Sequence, residues 1–223
     1  PICASCPQGF ARNGSDHDAK QCRRCMLGET TLIQGATTCS KCDVGRYGSE
    51  EGRCLDCPVG RYQDGKGESL CKLCDVDTFL ASTGKSSKAD CNACPLEKST
   101  GSTLGNIDTS ACLCRRTDFY QGANATCIAC PPGANCSNND GMRLTEIHAL
   151  PGYWRPAPDI DKFTSCGEQT TEGIHRCCAN GCIDLNVSSH ADAQCLEGYA
   201  SALCKACAKD FTVVNGECKP CPG

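Results

Sequence analysis

The chain has 223 residues, 26 of them cysteine, against 5 Phe, 5 Tyr, 2 Met and 1 Trp. Cysteine above about 8–10% marks a disulfide scaffold, and so few large apolar side chains exclude one continuous core over this length. A net charge of −4 with no long run of one sign excludes nucleic acid as a partner, since that would need a basic patch.

The chain opens inside a repeat. Cysteines stand as C-x-x-C at 3/6, 22/25, 39/42, 54/57, 71/74, 91/94, 127/130, 204/207 and 218/221, with one C-x-C at 112/114. Most of these are joined by loops of 10 to 17 residues. A period this short and regular is an internal repeat. Gly9, Gly28, Gly45 and Gly60 stand three residues after an opening cysteine, where a turn with positive φ is expected. Phe10, Tyr47, Tyr62, Phe79, Phe119 and Phe211 follow four or five residues after one, each expected to lie over its disulfide as a small core. Asn13-Gly14, Asp64-Gly65 and Asn215-Gly216 mark hairpin turns. Loops 75–90 and 95–111 are Ser/Thr-rich and read as exposed loops, the candidate places for flexibility or O-linked glycans.

From Cys130 the pattern breaks. C-P-P-G-A-N-C-S closes after five intervening residues, and 137–165 holds no cysteine but carries the only Trp, in Leu150-Pro-Gly-Tyr-Trp-Arg155. The expected organisation is therefore a repeat array over 1–130, a distinct module over 131–204 and a resumed repeat over 205–223. The fold class expected is small and disulfide-rich: an elongated tandem array of cysteine-rich hairpin repeats, with short β-structure and almost no helix.

C-x-x-C spacing has two physical readings. Successive pairs can chelate zinc, as in zinc ribbons. Alternatively, the second cysteine of one pair bonds the first of the next, so that two-residue spacers link closed loops. The second reading predicts a Gly-aromatic signature after every pair, tolerates the C-x-C and suits an oxidising compartment. It gives Cys6–Cys22, Cys25–Cys39, Cys42–Cys54, Cys57–Cys71, Cys74–Cys91, Cys94–Cys112, Cys114–Cys127 and Cys207–Cys218, with Cys130–Cys136 and Cys195–Cys204 in the irregular region. Cys166, Cys177, Cys178 and Cys182 pair among themselves in an order the spacing does not decide. Cys3 and Cys221 are left without partners by the rule and are expected to bond neighbouring segments or another copy of the chain. A chain that begins and ends mid-repeat reads as a segment of something longer.

C-P-V-G-R-Y-Q-D-G-K-G-E-S-L-C-K-L-C, residues 57–74, resembles the ephrin-receptor-like cysteine-rich repeat. It is also similar to the first loop of tumour-necrosis-factor-receptor cysteine-rich modules. C-L-E-G-Y-A-S-A-L-C at 195–204 resembles the last disulfide loop of an EGF-like domain. The combination with Pro151-Gly-Tyr-Trp-Arg155 resembles modules of large cell-surface or secreted proteins of algae and other protists. The resemblance implies an extracellular stalk, adhesion region or ligand-binding ectodomain.

Few residues stand out as sites. Sequons at Asn13, Asn124, Asn135 and Asn186 are N-glycosylation candidates on a secretory route. Tyr153, Trp154 and Arg155 are candidate contacts for a protein or sugar, or the packing plug of their module. Asp75 with Asp77, and Asp159 with Asp161, lack a calcium-loop pattern and read as solvated carboxylates. His17, His148, His175 and His190 are scattered outside any catalytic motif. The sequence implies no enzyme, no cofactor, no metal and no membrane span in this segment. Its partners are expected to be other protein chains, copies of itself and glycans. The expected role is an extracellular structural stalk, matrix or fibre segment, with a receptor or adhesion ectodomain as the alternative.

Overall fold

A computed structural model describes residues 5–12, 22–167, 170, 174–178 and 191–222. Cys3, Asn13, His17, Cys182, Asn186 and His190 lie outside the described residues. The chain divides into two compact units, Pro1–Cys112 and Leu113–Gly223. The fold is small and disulfide-rich. Strands of two to four residues pair into two-stranded ribbons, and the helical segments are 3-10 turns of three or four residues.

In the first unit, Cys6–Cys22, Cys25–Cys39, Cys42–Cys54, Cys57–Cys71, Cys74–Cys91 and Cys94–Cys112 are bonded. Each bond runs from the second cysteine of one pair to the first of the next. Closing a loop of about 15 residues contributes about 3 kcal/mol in the chain-entropy account. Each loop then folds back as one ribbon, for example Arg61–Tyr62 against Lys72–Leu73. A turn precedes the ribbon: Arg61 N donates to Pro58 O (3.2 Å), with Gly60 at φ +75° in the third turn position, where an L side chain is strained.

Successive loops are joined by backbone. Gly60 N donates to Leu80 O (2.8 Å) and Gln63 N to Lys85 O (3.0 Å), so the start of one loop runs beside the next. Gly84 N in turn reaches back to Cys57 O (2.8 Å). The same bonds recur one loop earlier as Gly45 N to Gln63 O (2.7 Å), Gly48 N to Glu68 O (2.9 Å) and Gly67 N to Cys42 O (2.8 Å). Loops two apart also touch. A Cβ on Gly60 would sit 2.1 Å from Gly105 O, and one on Gly28 1.9 Å from Gly67 O. Because the glue is amide and carbonyl, loop sequences can vary while Cys and Gly recur.

The aromatic residues depart from expectation. Tyr62 is buried, packed with Cys74 and Leu80, but Phe10, Tyr47, Phe79, Phe119 and Phe211 are only half-buried. The innermost groups are the cystines themselves: Cys6, Cys42, Cys57, Cys74 and Cys114 are at most 1% exposed. Polarisable sulfur, brought close by covalent bonding, fills the small interior.

The second unit is held differently. Cys114–Cys127, Cys130–Cys136, Cys166–Cys177, Cys195–Cys204 and Cys207–Cys218 are bonded, and Cys178 is also disulfide-bonded. The cysteine-free stretch 137–165 supplies Met142, Ile147 and Phe163 to a cluster with Tyr120, Ala134 and Cys136. Here side-chain packing replaces crosslinks. A second cluster gathers Cys166, Cys177, Tyr199 and Cys204.

Candidate interaction surface

Arg155 is the most constrained side chain of the second unit. The ribbon Tyr153–Trp154 against Thr164–Ser165 delivers it inward, and it is 1% exposed. Its Nε donates to Ile160 O (2.7 Å), Nη1 to Ile147 O (2.9 Å), and Nη2 to Leu144 O (2.9 Å) and Pro158 O. The guanidinium also lies over the Phe163 ring, 5.0 Å from its centroid. Burial pushes its pKa down, and the nearby Asp159 and Asp161 carboxylates push it back up. Gln194, 5% exposed, clamps the backbone: Arg155 N donates to Gln194 Oε1 (2.9 Å), and Gln194 Nε2 to Arg155 O (2.6 Å). A planar fork with five donors can satisfy carbonyls that converge from two turns.

As a contact residue, Arg155 is therefore corrected: a side chain that is 1% exposed has no face for a ligand. Trp154 is half-buried and packs on the Cys166–Tyr199 cluster. Tyr153 is half-buried, its ring against Gly133, whose added Cβ would come within 2.1 Å of it. Gln194 gave no sequence signal, since a lone Gln in a polar stretch carries no period or motif.

The two described sequons differ. Asn124 is exposed at φ 54°, ψ 30°, beside a cleft of about 620 Å³ that includes Tyr120, Ile128, Arg143 and Leu144. Asn135 is half-buried in a ribbon, its Oδ1 accepting from Ser137 N (2.9 Å) and Ser137 Oγ (2.5 Å). Two of the four carboxylates considered for calcium are engaged elsewhere. Asp75 pairs with Lys88 Nζ (2.5 Å), and Asp77 exchanges two bonds with Thr100 (2.8 and 3.0 Å). Among the described residues no group of three His, Cys, Asp or Glu could hold a metal ion. Cys221 is an exposed thiol whose amide donates to Asp210 O (2.9 Å), just as Cys42 N donates to Gly28 O (2.8 Å) at a loop opening.

In the first unit a groove of about 700 Å³ crosses three successive loops. Leu32, Ile33 and Leu55 give it apolar side chains, and Lys41, Arg46 and Arg53 give it cations. No helix among the described residues is long and apolar enough to cross a membrane.

Residues 45–91 match the family model described as tyrosine-protein kinase ephrin type A/B receptor-like. The chain is 32% identical over 161 residues to "Signal peptide, CUB and EGF-like domain-containing protein 2" of Mus musculus, an alignment covering 65% of this chain and 16% of that protein. It is 25% identical over 245 aligned positions to "Sushi, von Willebrand factor type A, EGF and pentraxin domain-containing protein 1" of Rattus norvegicus, covering 88% of this chain and 7% of that protein. The chain thus spans a small fraction of the relatives it matches. It contains ephrin-receptor-like cysteine-rich repeats with EGF-like character. Its disulfides place it in an oxidising, extracellular setting.

Proposed function

From a chain that contains ephrin-receptor-like repeats, we propose that this segment is structural: a disulfide-braced spacer within an extracellular multidomain protein, holding other domains at a fixed separation. The observation that carries this is the backbone joinery of the first unit. Each loop there is closed by a cystine and hydrogen-bonded to the next through amides and carbonyls. Such joints set spacing without a side-chain core, which suits a spacer and asks for no reactive group. Enzymatic activity forms no part of the proposal. The exposed Cys221, held in a loop-opening position, belongs to the same reading and bonds a neighbouring segment or a second copy. Asn124 carries an N-glycan, and the Ser/Thr-rich loops accept O-glycans. The organisation into 1–130, 131–204 and 205–223 is proposed for the functional modules.

Small-angle scattering tests the spacer reading. A compact domain of this length has a radius of gyration of about 17 Å. The spacer requires a clearly larger value and a long maximum dimension; a value at the compact limit would refute it. A second reading, a ligand-binding ectodomain of a receptor or adhesion protein, draws on the groove of the first unit.

A further inference from the structure

We infer that the groove across loops 6–22, 25–39 and 42–54 is a docking site for an extended peptide segment of a partner protein, one carrying carboxylates beside a branched apolar side chain. Leu32 and Ile33 are 73% and 71% exposed, and Leu55 is 43% exposed. The repeat provides an internal comparison. Gly35, Gly67, Gly84 and Gly105 occupy one structural position, each donating its amide to an opening cysteine carbonyl of the preceding loop. The residues three and two before them are Leu32-Ile33, Asp64-Gly65, Ala81-Ser82 and Ser102-Thr103. Three loops place small or polar residues at this outward position, and one places two large aliphatics. Scaffolding does not ask for them, because the other loops close without them.

The pair is also held in place. Gln8 Nε2 donates to Leu32 O (3.0 Å), Thr31 O accepts from Gly9 N (2.8 Å), and Ile33 N donates to Thr31 Oγ1 (3.3 Å). A rigid, exposed aliphatic pair is preorganised for binding.

Charge selects the occupant. The lining has three cations, Lys41, Arg46 and Arg53, and one carboxylate, Asp43. Asp43 is already matched by Lys66 (2.8 Å), and Arg46 by Asp56 (2.7 Å). Lys41 and Arg53 have no carboxylate partner among the described residues. In a chain of net charge −4, two cations without an ion pair thus stand beside an apolar surface, with Glu29 opposite Lys41 in the ribbon as the nearby carboxylate. An acidic, apolar peptide matches both, and its electrostatic share weakens with salt. The site would act whether or not the rest of the chain is a spacer.

The test is selection of a random heptapeptide display library on the full-length glycan-free chain, followed by fluorescence anisotropy of the enriched peptides. The expected result is a consensus of Asp or Glu flanking Leu, Ile or Val. Affinity should fall at least about tenfold, or 1.4 kcal/mol, in Leu32→Ser/Ile33→Ser and again in Arg53→Glu, and should be unchanged in Leu96→Ser, which removes an exposed leucine elsewhere. Unchanged disulfide pairing in the non-reducing tryptic map of each variant, with Arg53→Glu losing only the cut after residue 53, excludes misfolding. No enrichment, a basic consensus, or binding indifferent to the Leu32/Ile33 variant overturns the inference. Concentration-dependent self-association abolished by Leu32→Ser/Ile33→Ser would also overturn it, by assigning the groove to a second copy.

Discussion

Replacing Gly60 by alanine should destabilise the first unit far more than its size suggests. The new Cβ imposes φ +75° on an L residue, which costs about 1–2 kcal/mol. It would also lie 2.1 Å from Gly105 O, so one loop must move. That movement strains three bonds, Gly60 N to Leu80 O (2.8 Å), Cys74 N to Gly60 O (2.9 Å) and Gly105 N to Cys74 O (2.9 Å). At about 1 kcal/mol each for those lost, the total cost is about 4 kcal/mol. Two neighbours separate the contributions. Gly84 has φ +68°, but its Cβ would meet nothing closer than Asp56 Cβ at 3.6 Å, so Gly84→Ala costs about 1–2 kcal/mol. Gly48 lacks a positive φ, yet its Cβ would lie 2.2 Å from Gly28 N, so Gly48→Ala costs about 2–3 kcal/mol through displaced backbone bonds alone. Urea unfolding of the disulfide-intact chain, with native-state hydrogen exchange of the Cys74 and Gly105 amides, measures all three. Equal costs for Gly60→Ala and Gly84→Ala would refute the claim that loops two apart are in backbone contact.

Other consequences follow from single side chains. Arg155→Lys should cost about 3 kcal/mol or more in urea unfolding, because one ammonium cannot reach the four carbonyls that the fork satisfies. Thr117 adopts φ 78° where Gly9, Gly28, Gly45 and Gly60 stand in other loops, so Thr117→Gly should raise the stability read by urea unfolding, by up to about 1 kcal/mol after the extra unfolded-state entropy of glycine. The hydrogen bond from Lys72 holds the Asp64 carboxyl below its ordinary value of 3.8. This pair therefore contributes above that value and is lost as pH falls through the lowered one. Lys72→Met should return Asp64 toward 3.8 in a carboxyl NMR titration, with stability at neutral pH little altered, since both groups are exposed. After expression in a secretory host, Asn124 should carry glycan while Asn135 remains bare, as read by deglycosylation mass shift.

Cysteine spacing made the loop architecture legible, because a covalent bond between regularly spaced residues leaves a period in the sequence. The turn glycines were legible for the same reason: positive φ selects residue type locally. What connects the loops was not. An amide donating to a carbonyl of the next loop, as Gly45 N does to Gln63 O, imposes no residue type on either side. The aromatics misled because a Tyr or Phe after a turn suggests a core, whereas the cystines already fill that space and leave most rings half-buried. In the second unit, Arg155 stood with Tyr153 and Trp154 as a candidate contact or packing plug, and nothing in the sequence marked it as the buried one. Its burial depends on Ile147, Leu144, Pro158 and Ile160 offering carbonyls from turns that the sequence does not announce. The groove is legible only afterwards, when the ladder sets Leu32-Ile33 against Asp64-Gly65 and exposes the difference.

The measurement that bears most directly on the architecture is non-reducing peptide mapping by mass spectrometry. Trypsin can cut between the members of several pairs, at Arg23 and Arg24, Lys41 and Lys72, so bonds to the preceding and following loops separate. The structure predicts an internal bond in peptide 25–41 for Cys25–Cys39, and linked peptides for Cys42–Cys54, Cys57–Cys71 and Cys74–Cys91. Bonds within a C-x-x-C pair, or reduced cysteines with stoichiometric zinc, would contradict the closed-loop ladder and the extracellular role built on it.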